Sequence, residues 1–252
     1  MKVCIVSGRY PATDFDSAIN HKVYADRYGY TYAHCNWPTK EQNRYLNKMH
    51  YIQMYIDAYD YIVWIDDDAF FFDFEKDIMT YAPTGDAFLS ICKSPSHKTL
   101  KTFFSSGQFI LKSSKKSKDF INQVIQQDLN VVKSWWTEDL GYFSNGDQDA
   151  MIYLLKTNPI FKNTAELHDY KSFNSRPENL FKDDIHHPMI LHFTGKVEVK
   201  KQHYLEVQEK LKLHSSLVPE NILKAYNLHV YRKPQNKSLK QNIKRLITWL
   251  KP

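Results

Sequence analysis

Tyr61 to Phe72 reads YIVWIDDDAFFF: a β-branched and aromatic run, three consecutive aspartates, then a second aromatic run. The first run has the length and composition of a strand buried on both faces. Such a strand lies inside a sheet covered by helices and delivers the next residues to the sheet's carboxyl rim, where ligands of open α/β folds collect. Along an extended chain alternate residues point to opposite faces, so Asp66 and Asp68 are expected to converge while Asp67 faces away. Two carboxylates held that close repel each other unless a cation joins them. Mg²⁺ or Mn²⁺, which prefer hard oxygen ligands, suit the pair, and a diphosphate would complete the coordination. The alternative is a solvated acidic loop or an N-capping cluster; Trp64, Phe70, Phe71 and Phe72 argue against it.

The neighbouring segments alternate in type. KVCIVS reads as a strand, SAINHKVYADRYG as a helix stopped by Gly29, and YTYAHCN as a second strand. From Glu41 onward, Tyr45, Met49, Ile52, Ile56 and Tyr59 recur at helical spacing and predict a helix leading into YIVWI. DAFLSIC and SSGQFILKS read as strands separated by a polar loop from Lys93 to Thr102. KSKDFINQVIQQDL and GDQDAMIYLLKT read as helices, the second opening on acidic residues as a helix N-terminus prefers, and PMILHFTGK as a late strand running into a turn. This order predicts an α/β fold with a mainly parallel, mixed sheet flanked by helices. At 252 residues and 42% hydrophobic content the chain suits one core with an extension, divided here as 1–226 and 227–252.

Seven glycines, none in a G-x-G-x-x-G or G-x-x-x-x-G-K arrangement, argue against a glycine-rich phosphate loop. Cys4, Cys35 and Cys92 are odd in number and widely spaced, which indicates neither a disulfide framework nor a zinc site and suits a reducing compartment. The apolar run in MKVCIVSGRYP is too short for a signal-peptide core or a membrane span.

The net charge of +6 resides in the tail. Seven of the 34 Lys and Arg residues lie beyond Asn227 with no acidic partner, so the remaining 27 face 28 Asp and Glu. Within the tail, Leu239, Ile243, Leu246, Ile247 and Leu250 fall at helical spacing, flanked by Lys and Arg and accompanied by Trp249. Such a C-terminal basic amphipathic helix either rests on an anionic membrane surface or packs on the domain with its basic face in water. Nucleic acid is not an expected partner, because the rest of the chain is slightly acidic and no recognition motif accompanies the tail.

WIDDDAFF resembles the D-x-D motif of GT-A glycosyltransferases, in particular the retaining α-galactosyl- and α-xylosyltransferase family of fungal Golgi and plant xyloglucan enzymes. The resemblance runs from about Lys2 to Lys196 and also takes in YADRYGY, NKMHYIQMYIDAYDYIVW, SSGQFILKSS, NGDQDAM and LHFTGK, in the family's order. The glycogenin-like and bacterial galactosyltransferases are similar in the same motifs, and both groups are retaining. The resemblance implies a GT-A, Rossmann-like fold and transfer of a hexose or pentose from a UDP-sugar donor to a glycan or glycolipid acceptor, in surface polysaccharide or lipopolysaccharide synthesis.

Carried onto this chain, the resemblance implies that Asp66, Asp68 and His192 hold the metal. A core histidine bonded to a carbonyl is the bland reading of His192. Lys48 and Lys196 would meet the diphosphate, with Gly195 letting the backbone approach it. Ser7, Gly8, Arg9 and Tyr10 would surround the uridine, with Asp67, Ser106 and Gly107 also on the donor. Asp147, Gln148 and Asp149 would face the donor sugar, Gln148 lying beneath the anomeric carbon. An amide is a poor nucleophile, so a front-face substitution is expected, in which the β-phosphate accepts the acceptor's proton. Asp147 could equally cap its helix.

The chain departs from the family at Ser105-Ser106-Gly107, where the eukaryotic motif has Asn-Thr-Gly. It departs again at Lys196, which stands where a Cys is usual and is closer to the glycogenin-like pattern. The absence of the eukaryotic anchor and stem leads to the expectation of a cytoplasmic enzyme of a bacterium or virus, peripheral on the inner face of the membrane. Trp135 and Trp136 are either a stacking platform for an acceptor sugar or core residues. Two other functions fit the acidic rim: a metal-dependent phosphohydrolase, against which SGRYP offers no aspartate after the first strand, and a catalytically silent nucleotide-sugar binder.

Overall fold

The computed structural model describes residues 1–96, 101–182 and 187–227. The expected tail helix, from Ser238 on, lies outside the described residues. The main sheet has six strands: β1 (Val3–Ser7), β2 (Thr31–His34), β3 (Tyr61–Ile65), β5 (Leu89–Cys92), β6 (Gln108–Lys112) and β7 (Ala165–His168), in the order β2-β1-β3-β6-β5-β7. β6 alone runs against the other five. Helices α1 (Ser17–Arg27), α2 (Asn47–Tyr55), α3 (Lys115–Gln126), α4 (Leu129–Trp135) and α5 (Asp147–Thr157) accompany it. The two-residue period of the strands is visible in the core: Cys4, Val6, Ile62, Trp64, Leu89, Ile91, Phe109 and Leu111 join one buried cluster with Met49, Ile52, Phe120, Val124 and Met151 from α2, α3 and α5.

α2 begins at Asn47 and not near Glu41. Glu41 Oε1 accepts from the Asn43 N–H at 3.0 Å and Asn43 Oδ1 accepts from the Tyr45 N–H at 3.1 Å, so these side chains turn the backbone before a helical ladder can start.

A second sheet pairs β4 (Ala69–Phe71) with β8 (Ile190–His192) antiparallel, setting Ala69 opposite His192. Asn20 of α1 locks its edge. The Asn20 side chain accepts from the Phe71 N–H at 2.8 Å and donates to the carbonyls of Phe71 at 2.9 Å and Ser216 at 3.0 Å. Between β7 and β8 lie α6 (Tyr170–Phe173) and α7 (Pro177–Lys182); α8 (Val197–Leu211) follows β8. Tyr204 of α8 packs on Phe70 and Phe193, with ring centroids 5.5 and 5.6 Å away, and so seats α8 against the second sheet.

Met1–Val218 forms one compact unit, and a second begins at Pro219. The described helix of the second unit is α9 (Glu220–Ala225), with an ion pair of 3.1 Å between Glu220 and Lys224 on successive turns. No described helix is long and apolar enough to cross a membrane.

Asn20→Ala would leave two carbonyls and one N–H buried without partners, and is expected to cost about 3 kcal/mol of stability in a urea unfolding experiment. A loss below about 1 kcal/mol would show that β4 holds its place without this lock.

Candidate metal centre and cavity

β3 stops at Ile65, and the next residues make a turn closed by the Ala69 N–H donating to the Asp66 carbonyl at 3.1 Å. A turn, and not strand alternation, therefore sends Asp67 away from Asp66 and Asp68. Asp67 is directed toward Thr13, whose hydroxyl donates to its Oδ2 at 2.6 Å. Burial and the neighbouring Asp68 push the Asp67 carboxyl above its usual range.

Among the described residues, Asp66, Asp68 and His192 each bring one ligand atom within 4.8 Å of the others. The local bonds are compatible with a cation here. His192 Nδ1 lies 2.9 Å from Asn174 Oδ1, which also accepts from the Arg176 guanidinium at 2.5 Å. Guanidinium can only donate, so that oxygen is an acceptor and the imidazole proton sits on Nδ1. Burial holds the imidazole neutral, below the ordinary histidine range, against the pull of Asp68. Nε2 thus presents its lone pair to Asp68 Oδ1 at 3.3 Å, and that oxygen has no hydrogen-bond partner. Two facing acceptors with no proton between them, beside a third oxygen donor on Asp66, fit Mn²⁺ or Mg²⁺.

Asp66 Oδ1 accepts from the Trp64 indole at 2.7 Å and lies 3.3 Å from Lys48 Nζ. Lys48, buried on α2, also reaches Asp147 Oδ2 at 3.0 Å and the Ser106 carbonyl at 2.8 Å. Burial works against its charge, but Asp147 and Asp66 outweigh burial and hold its pKa above the usual lysine range. Gly107 closes this corner. A Cβ there would lie 2.4 Å from His192 Cε1 and 3.2 Å from Asp66 Oδ2, so only glycine lets β6 pass beside the two ligands.

A cavity of about 400 Å³ opens beside this centre, and Lys48, Asp66, Ser106, Gly107, Asp147, Gln148, His192 and Gly195 line it. Gln148 Oε1 accepts from the Ser106 N–H at 3.1 Å. Tyr45, Tyr142, Arg176, Glu178 and His203 also line the cavity.

Two residues expected on the donor face elsewhere. Asp149 turns its carboxylate back to Ser144 Oγ at 2.9 Å and the Gly146 N–H at 3.2 Å, as a third-position helix carboxylate does when it satisfies the first turn. Its buried carboxyl is pushed up to about 6. Lys196 is the exposed N-terminal cap residue of α8 and does not line the cavity.

Ser7, Gly8, Arg9 and Tyr10 end or succeed β1, outside the cavity lining. Gly8, at φ 140°, is required by the β2 side, since a Cβ would lie 2.0 Å from the Cys35 carbonyl. Trp135 and Trp136 pack against the core, Trp136 donating to the Gly141 carbonyl at 2.8 Å, so the cavity's aromatic wall is Tyr45 and Tyr142.

Asn174, Arg176 and Lys200 carry no signal in the sequence. Asn174 and Arg176 reach the centre through the Ser175 bridge to Leu191 in β8, a tertiary contact without a local pattern. Lys200 lies one helical turn after Lys196 on α8, where its ammonium donates to Asp68 Oδ2. Burial disfavours the Asp68 charge, yet the Lys200 ammonium at its Oδ2 holds its carboxyl below the usual range.

No protein-family model and no curated protein matches the chain, but solved structures do. A glycosyltransferase involved in glycosylation of the major capsid of PBCV-1 superposes with a TM-score of 0.60 at 12% identity, over 81% of this chain and 100% of that one. The glycosyltransferase GlyE of Streptococcus pneumoniae TIGR4 gives 0.55 at 13% identity, over 92% of this chain and 66% of that one. The WbbM bifunctional glycosyltransferase gives 0.50 at 12% identity, over 90% of this chain and 52% of that one. The chain thus spans about two thirds of GlyE and about half of WbbM. At these identities the likeness establishes the fold, a GT-A, Rossmann-like sheet flanked by helices.

Asn174→Ala is expected to weaken Mn²⁺ binding about 10–100-fold, read from the free-ion resonance in a paramagnetic titration; unchanged affinity would contradict the role given to Asn174. Because burial keeps His192 neutral to below its ordinary pKa of about 6.5, the wild-type affinity is expected to stay level from about pH 8 to 6.5 and to fall only in more acid solution. A fall already complete by pH 7 would contradict the neutral imidazole.

Proposed function

We propose that this chain is a metal-dependent, retaining glycosyltransferase that moves a hexose or pentose from a UDP-sugar to a glycan or glycolipid hydroxyl, in surface polysaccharide or lipopolysaccharide synthesis. The observation that carries the proposal is the Asp66, Asp68 and His192 cluster at the rim of a GT-A sheet, opening on a cavity lined by Lys48, Asp147 and Gln148. The glycosyltransferase names of the solved neighbours, one of which acts in glycosylation of a viral capsid, support it.

Asp66, Asp68 and His192 would hold Mn²⁺ or Mg²⁺, which would supply positive charge to a leaving diphosphate. The chain's own groups do the rest. Lys48 adds a fixed ammonium whose position is set by Asp66, Asp147 and the Ser106 carbonyl, so it needs no reorganisation when charge develops nearby. Asp147, buried and paired, is suited to orient sugar hydroxyls from the cavity wall. Gln148 commits its carbonyl oxygen to the Ser106 N–H, which agrees with an orienting role and not with covalent attack on an anomeric carbon. Ser7, Gly8, Arg9, Tyr10 and Asp67 receive the nucleoside. Tyr45 and Tyr142, 47% and 55% exposed, offer faces on which an acceptor pyranose can pack.

The phosphohydrolase reading finds no carboxylate at the end of β1, where Ser7 and Gly8 stand. The test is a screen of UDP-sugars against glycan and glycolipid acceptors with Mn²⁺, reading the anomeric configuration of the product by NMR. Transfer with retention, reduced about 100-fold or more in Asp66→Asn, is the expected result. Transfer indifferent to Asp66→Asn, or release of inorganic phosphate from a phosphomonoester in its place, would overturn the proposal.

A further inference from the structure

The carboxylates at the candidate cation position are already paired without a cation. Lys48 lies between Asp66 and Asp147, Lys200 donates to Asp68, and the Arg176 guanidinium stands behind His192 through Asn174. Two of those cations are anchored by other bonds. Lys48 donates to the Ser106 carbonyl, and Arg176 donates to the carbonyl and side chain of Asn174. Lys200 is different: among the described residues its ammonium makes no hydrogen bond except that to Asp68, and its side chain is 19% exposed at the edge of the site. Its stem is four single bonds, so the head can swing without moving α8.

Asp68 is consequently a shared ligand. Its Oδ2 is taken by Lys200 while its Oδ1 faces the His192 lone pair. A divalent ion entering while Lys200 holds Oδ2 would set two cations on one buried carboxylate, and their mutual repulsion is costly in a poorly solvated setting. A diphosphate arriving with the ion offers the ammonium a new charged acceptor.

We propose that Lys200 is a tethered cation that competes with the divalent metal for Asp68, so that the metal enters the site tightly only together with a nucleoside diphosphate, which takes over the lysine's head. This deepens the proposed function and rests on it. It also gives Lys200 opposite effects in two measurements, which a merely structural residue would not have.

The probe is Mn²⁺ itself, titrated into the full chain with and without saturating UDP and monitored by the free-ion resonance. Lys200→Met keeps the length of the stem and removes the charge; it is expected to bind Mn²⁺ alone about tenfold or more tightly than the wild type. It is also expected to lose most of the gain in Mn²⁺ affinity that UDP confers. Lys200→Arg should keep the wild-type pattern, and Lys201→Met, an exposed neighbour on α8, should change neither quantity, with circular dichroism confirming that each variant folds. Equal Mn²⁺ affinity in Lys200→Met and wild type, or an unchanged gain from UDP, overturns the inference while leaving the metal site standing. Absence of Mn²⁺ binding in every protein, with or without UDP, overturns both the inference and the proposed function.

Discussion

The antiparallel pairing of β4 with β8 sets Ala69 opposite His192, and the chemistry of the rim depends on that register. The turn that carries Asp66 to Asp68 precedes β4, and the Phe193 N–H donates to the Asp68 carbonyl at 3.0 Å, so the pairing presents the imidazole to the carboxylates. A slip of one residue would put His192 on the other face of the pair. Several features resist it: the Asn20 lock on Phe71, the aromatic contacts of Phe70 and Phe193 with Tyr204, and the entry of Ser175 beside Leu191. The last of these also delivers Asn174 to His192 Nδ1, so one small sheet sets both the position and the tautomer of the histidine.

Electrostatics then shapes what the rim can accept. Asp66, Asp68 and Asp147 stand close together because Lys48 bridges Asp66 and Asp147 and Lys200 caps Asp68. The arrangement is held by charge pairs that each need their partner: removal of Lys48 would strand Asp66 and Asp147 together, and truncation of either acid would leave the lysine short of a counter-charge. Such an arrangement of fixed charges suits a cation and a polyanion, and a cavity of about 400 Å³ opens beside it.

Much of this is legible in the sequence, and the failures have physical causes. The aspartate triplet stands out because aromatic and β-branched residues on both sides exclude a solvated loop, and the alternation of strands and helices announces the sheet. The start of α2 is misread because apolar spacing does not register the competition from the Glu41 and Asn43 side chains for nearby N–H groups. Asp149 and Lys196 are drawn in by the motifs they sit in, but helix geometry decides direction: the first bends back to its own N-terminus and the second caps α8 in solvent. Trp135 and Trp136 attract notice as large aromatics, whereas Tyr45 and Tyr142 reach the cavity from an irregular segment and a loop. Asn174, Arg176 and Lys200 have no pattern to betray them, because their roles exist only once β8 and α8 are in place.

The rim of the sheet stands or falls as a functional site on whether Asp66, Asp68 and His192 hold one divalent ion. The most direct measurement is an anomalous difference map at the manganese absorption edge from crystals grown with Mn²⁺ and UDP. A single strong peak within coordination distance of all three side chains, in contact with the diphosphate, is the expected result. Nucleotide density without a peak there, or a peak bound by other residues, would contradict it.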